Sequence, residues 1–154
     1  MRLIRPASAG QLNLGLAILR VVTGIIFAAH GGQKLFVYGV DGVAGAFGQM
    51  GIPVAAFAGP AVALVECFGG LALIVGLLTR LAGFGLVVTM LGALLFVHAR
   101  NGFFMPNGYE YVLALLGVAA TLMVTGAGRY SLDTLVAGRG EAAAEGVRPL
   151  RRAA

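Results

Sequence analysis

The chain has 154 residues, of which 59% are hydrophobic and only 11% charged. A soluble domain of this length could not bury so much apolar surface, so lipid must be its solvent. The formal charge of +5 does not point to nucleic acid, because the eleven Lys and Arg stand singly between apolar runs or gather in the two tails.

In chain order, MRLIRPASAG carries a small basic flank. The apolar stretch behind it is too long for a signal peptide and contains Arg20, so it reads as a retained first span. Four apolar segments can be marked: Leu12–Gly31, Ala58–Leu78, Leu81–His98 and Tyr109–Ala127. At ~1.5 Å per residue each covers about 27 to 32 Å, close to a hydrocarbon core of ~30 Å. The expected fold is therefore all-α, a polytopic membrane protein built as a four-transmembrane-helix bundle. Spans two and three should form a tight hairpin turning at Thr79 and Arg80.

The first break, from Gly32 to Phe57, holds Gly42, Gly45, Gly48 and Gly51 together with Phe47, Met50 and Pro53. It is too polar and broken for a span and too apolar for a free loop. It reads either as an interfacial or re-entrant segment in the first outer loop, its glycines lying close against the bundle, or as a flexible loop. After Asp133 the composition shifts to Ala, Gly, Glu and Arg, as in a mobile tail. The expected organisation is a tail over 1–11, a membrane domain over 12–133 and a second tail over 134–154. Arg2, Arg5, Arg80, Arg129 and Arg139 fall on the side of both termini, against Lys34 and Arg100 opposite. The positive-inside rule then places both termini in the cytoplasm of an inner, plasma-membrane protein.

Charged side chains inside a span cost at least ~2.5 to 3.5 kcal/mol on insertion scales and need a partner or a wet cavity. Arg20 and Glu66 lie deep, at similar depth, and could pair. Such a pair either locks spans one and two in register or lines a cavity. His30 and Lys34 end span one, His98 ends span three and Glu110 starts span four, all in one outer layer. Helical spacing puts Arg20, Gly24, Phe27, Gly31 and Lys34 on one face of span one, and Glu110, Ala114, Gly117, Thr121 and Thr125 on one face of span four. Both stripes are expected to point inward. His98 shares its face with Val87, Leu91 and Leu94, as an interfacial histidine would. Gly69 and Gly70 suggest close helix packing beside Glu66. The two histidines, with no third strong ligand at fixed spacing, do not define a metal site. Cys67, the only cysteine, excludes an intramolecular disulfide and a CxxC redox centre.

LRVVTGIIFAAHGGQKLF in span one, GIPVAAFAGPAVALVECFGGLALIVGLLTRLAG through spans two and three, and GAGRYSLD after span four together resemble the DoxX family over about residues 14 to 133. The matching positions include Arg20, His30, Lys34, Glu66, Gly76, Arg80, Glu110 and the run Gly128 to Asp133. The resemblance implies a redox role, since relatives include a membrane subunit of a thiosulfate:quinone oxidoreductase and proteins of membrane redox complexes that counter oxidative stress. On that reading His30, Glu66 and Glu110 are the proton-exchanging, catalytic residues. Arg20, Lys34 and His98 bind the ligand, with a quinone as the cofactor. The lipid bilayer, a redox protein and a further copy of the chain are the expected partners. A non-catalytic scaffold and a small-solute or proton pathway through an oligomer are the alternatives.

Overall fold

In the computed structural model, which describes residues 6–138, the regular elements of the described residues are all helical. Helix α1 (Ala9–Gly32) opens with a reciprocal cap, in which Gln11 N donates to Ser8 Oγ and Ser8 N donates to Gln11 Oε1. It runs on through one wide π-helical stretch, Gln33–Tyr38, into α2 (Gly39–Gln49). Helix α3 (Ala55–Val75) ends where Gly76 adopts φ 72°. There Gly76 N donates to Leu73 O and Leu77 N to Ala72 O, the paired bonds that close a helix on a left-handed glycine. A side chain at Gly76 would also meet Arg20 Cζ at 2.7 Å and Ser131 Cβ at 2.6 Å.

Helix α4 (Thr79–Gly92) passes into a second π-helical stretch, Ala93–His98, and a 3-10 turn, Ala99–Asn101. Helix α5 (Glu110–Thr125) follows, and residues 132–138 are again helical. The hairpin therefore turns at Gly76–Leu78, three residues before the expected Thr79 and Arg80, because the glycine stops α3 and Thr79 already opens α4. The tail expected over 134–154 is helical as far as 138. Its remainder lies outside the described residues, as do Arg2, Arg5 and Arg139.

Among the described residues, three helical runs are long and apolar enough to cross a membrane: Ala9–Gln49, Ala55–Val75 and Thr79–Asn101. Helix α5 is apolar but has 16 residues, about 24 Å at the usual rise. In lipid the helices gain no hydrophobic free energy by associating, so close packing must hold them together. Backbone approach on small residues supplies it. A Cβ on Gly24 would stand 2.7 Å from Gly70 O, and one on Gly31 would stand 2.6 Å from Cys67 Cα. Helices α4 and α5 meet in the same way, since a Cβ on Gly83 would lie 2.8 Å from Met123 N. Phe27, Leu73, Leu86, Ala119 and Leu122 fill the centre.

The inward stripe expected on span one is present: Arg20, Gly24, Phe27 and Gly31 are buried. The stripe expected on span four is not. Helix α5 buries Val112, Leu115, Ala119 and Leu122, while Ala114, Gly117, Thr121 and Thr125 are exposed. The threonine hydroxyls donate one turn back, to Gly117 O and Thr121 O, so neither needs a partner inside the bundle. The glycines of α2 also behave differently from expectation. A Cβ on Gly45, or on Gly51 just beyond α2, would meet no packing atom within 4 Å, whereas Val43 is buried. The close approach to α2 is made from α3, where a Cβ on Gly59 would meet Ala44 N at 3.1 Å.

Candidate functional site

Side chains on a helix lean toward its N-terminus, and this decides which buried charges meet. Helix α1 runs from the end of the bundle that holds the Gly76 hairpin to the end that carries α2, and α3 runs back. Arg20 therefore leans toward the hairpin. Glu66 on α3 leans the other way, toward Lys34, whose own stem reaches back into the bundle. The ion pair that forms is Lys34–Glu66. The expected Arg20–Glu66 pair does not form. The Glu66 side chain is 5% exposed and that of Lys34 23%, so the carboxylate is sealed while the ammonium keeps one open side.

Arg20, 3% exposed, is bound by main-chain carbonyls. Nη1 donates to Leu73 O at 2.8 Å and Ile74 O at 3.3 Å, and Nη2 donates to Tyr130 O at 2.7 Å. Leu73 and Ile74 belong to the last turn of α3, whose carbonyls have no partner within the helix and carry the negative end of its dipole. The GAGRYSLD segment completes the arrangement. Asp133 accepts from Leu78 N at 2.6 Å and Thr79 N at 3.0 Å, capping the start of α4. Asp133 N in turn donates to Gly76 O. Arg20 and Asp133 thus clasp the hairpin from both sides, and Arg20 does not line the cavity described below.

That cavity, of about 370 Å³, lies at the α2 end of the bundle. Its polar wall is Lys34, Glu66, His30 and His98, and its apolar wall includes Phe27 and Leu115. Four of the six residues expected at the site are therefore brought together. Glu110 is not among them: its Oε1 accepts from Met105 N at 2.7 Å and fastens the 102–109 loop. A residue not anticipated, Tyr111, stands in the wall. An aromatic with a polar tip at the start of an apolar run is the only sequence signal that could have marked it.

Both wide turns are at this site. Lys34 lies in the first and His98 in the second. A π turn advances each side chain less around the axis than an α turn does. His98 stands on the cavity wall, and of the residues that share its face at ideal spacing Val87 and Leu94 pack against the core while Leu91 is exposed. Its Nδ1 lies 3.0 Å from Asn107 O. A carbonyl can only accept, so in the neutral ring Nδ1 carries the proton and Nε2 is the acceptor. The cavity thus combines a cation, a carboxylate and an imidazole acceptor in apolar surroundings. Among the described residues no three His, Cys, Asp or Glu side chains converge as metal ligands.

An all-helical membrane protein with a charged cavity near one end of its bundle is the class these features define. The family model for DoxX matches residues 15–99, and that for the TQO small subunit DoxD matches residues 60–145. The chain is 34% identical over 126 residues to "Putative oxidoreductase CatD" of Bacillus subtilis, covering 82% of this chain and 90% of that one. It is 31% identical over 137 residues to membrane protein Rv3486 of Mycobacterium tuberculosis, covering 80% and 82% of the two chains. It is 34% identical over 130 residues to inner membrane protein YqjF of Escherichia coli, covering 80% and 93%. No solved structure matches it. The chain belongs to the DoxX family.

Proposed function

We propose that this protein is a plasma-membrane subunit of a redox system, and that the Lys34–Glu66 cavity binds a quinone or a similar oxygen-bearing, lipid-soluble ligand. Helices α1, α3, α4 and α5 cross the bilayer with both termini cytoplasmic, and α2 lies at the outer interface. Arg80 and Arg129 then face the cytoplasm. The name of YqjF supports the location, and the DoxD match and the name of CatD support the redox role.

One observation carries the reading: a charged pair, its carboxylate buried, stands beside two histidines in the wall of a mainly apolar cavity inside a membrane bundle. Ionisable groups at such depth mark ligand or proton pathways by default. The volume falls within the ~300 to 1,000 Å³ usual for small-molecule sites. The residues fit a quinone: Lys34 can donate to a carbonyl oxygen, His98 can accept from a hydroxyl, and Phe27 and Leu115 flank the ring. The quinone supplies reversible two-electron chemistry. Glu66, His30 and His98 hold and exchange the accompanying protons. The chain's single cysteine is buried, so a partner redox protein supplies or takes the electrons.

The test is calorimetric titration of the detergent-purified protein with a short-chain benzoquinone and its quinol. Binding should weaken about tenfold, some 1.4 kcal/mol, in Glu66→Gln and in His98→Ala, and remain unchanged in Arg20→Lys. Binding by folded Glu66→Gln as tight as by the wild type would overturn the proposal.

A further inference from the structure

A second cavity, of about 380 Å³, lies against the first. The two share Lys34, Glu66, Ala93 and His98 as a common wall. Away from that wall the second cavity is hydrocarbon apart from Thr89, lined by Phe47 of α2, Met50 just beyond it, Val62, Val88 and Phe96. Its one hydroxyl, on Thr89, has its proton committed to Leu86 O at 2.9 Å and offers a ligand no donor. An open groove along α2, bounded by Val37 and Tyr38, meets it at Lys34, Phe47 and Met50.

The polarity is thus one-sided. Every charged group and every free side-chain donor lining the two cavities stands at the junction or in the first cavity, and none stands at the far end of the second. A ligand confined to the first cavity would leave the second to be filled by something purely apolar, and a bilayer supplies such material as chains attached to polar heads. Resting on the functional reading above, we propose that the two cavities form one bipartite site for an amphipath. The oxygen-bearing ring is held by Lys34, Glu66 and His98 in the first cavity, and an alkyl tail runs beneath α2 through the second, leaving along the α2 groove. Because His98 presents an acceptor, the hydroxyl-bearing, reduced form of the ring makes one hydrogen bond that the oxidised form lacks.

The tail gains little free energy in passing from lipid to an apolar cavity, so affinity is a poor reporter of its position. Cross-linking reads position directly. The probe is a benzoquinone bearing a dodecyl chain with a terminal diazirine, photolysed on the full-length protein in nanodiscs, with labelled residues mapped by mass spectrometry. Labelling should concentrate on Phe47, Met50 and Val62. It should fall about tenfold both in Val62→Trp, which fills the second cavity, and under excess tail-less benzoquinone, as a competitor well above its Kd requires. Ala58→Phe, on the same wall, serves where Val62→Trp does not fold. Labelling that is competed by the tail-less ring but falls on lipid-facing residues such as Phe68 and Phe84, 61% and 56% exposed, overturns the bipartite site and leaves the ring site standing. Labelling that the tail-less ring does not compete overturns both.

Discussion

Replacing Arg20 with methionine keeps most of the side chain's bulk and removes its charge and donors. Three carbonyls lose a partner, at 2.8, 3.3 and 2.7 Å, two of them at the C-terminal end of α3. A hydrogen bond from a charged donor contributes about 1.5 to 3 kcal/mol in soluble proteins. Side-chain bonds between helices in membranes average nearer 0.6 kcal/mol, because the unfolded chain finds other partners. The two short bonds sit at a sealed hairpin rather than on a lipid-facing surface, so the loss should fall between these limits, at about 2 to 5 kcal/mol. Arg20→Lys should recover part of it, since an ammonium lacks the planar fork that reaches α3 and Tyr130 together. The assay is reversible unfolding by SDS titration from mild detergent, followed by circular dichroism, with Arg100→Met at an exposed position as reference. The reasoning is refuted if Arg20→Met is no less stable than Arg100→Met. Quinone binding by the folded fraction should be unchanged.

Asp133→Ala removes the cap on Leu78 and Thr79 and should cost about 1 to 2 kcal/mol in the same titration; a cost below that of an exposed substitution would show the cap to be incidental. Lys34→Met leaves the Glu66 carboxylate buried without a cation and should cost about 2 to 4 kcal/mol, toward the lower end because Lys34 keeps one open side. The double variant Lys34→Met with Glu66→Leu should return to within about 1 kcal/mol of the wild type, and additive losses would contradict the pairing. Gly31→Leu should prevent folding, since its Cβ alone would lie 2.6 Å from Cys67 Cα. Gly45→Leu, with open space around it, should change stability by only about 0.5 kcal/mol. The yield of folded protein from the two, read by size exclusion and circular dichroism, compares the packed and open glycines directly.

What could be read from sequence depended on how regular the backbone is. The face of span one carrying Gly24, Phe27 and Gly31 follows from 3.6-residue spacing because α1 is uninterrupted to Gly32. The same arithmetic left His98 ambiguous, because its face is mixed: Val87 and Leu94 pack against the core while Leu91 is exposed, and no residue pattern announces the wide turn over Ala93–His98. Depth along the spans correctly marked Arg20 and Glu66 as buried. The pairing failed because depth was judged at Cα, whereas the side chains lean apart by helix geometry and Lys34 leans in. On α5, small residues and threonines suggested an interior face. Hydroxyls that bond their own carbonyls look the same in sequence as hydroxyls seeking partners across helices. Glu110 was an acid in the right layer, but the nearby 102–109 loop offers an unpaired amide that claims it. The family resemblance picked out the GAGRYSLD segment without its physical role, which emerges only when Asp133 is seen to cap α4 across the hairpin.

The central claim is that the Lys34–Glu66 cavity, and not Arg20, holds the ligand. Native mass spectrometry of the protein released from its own membranes tests it most directly, because the ligand need not be chosen in advance. A lipid-soluble, ring-bearing molecule should remain bound to the wild type and to Arg20→Lys and be retained clearly less by Glu66→Gln, in line with binding about tenfold weaker. Bare wild-type protein, or the same molecule retained equally by Glu66→Gln, would contradict the account.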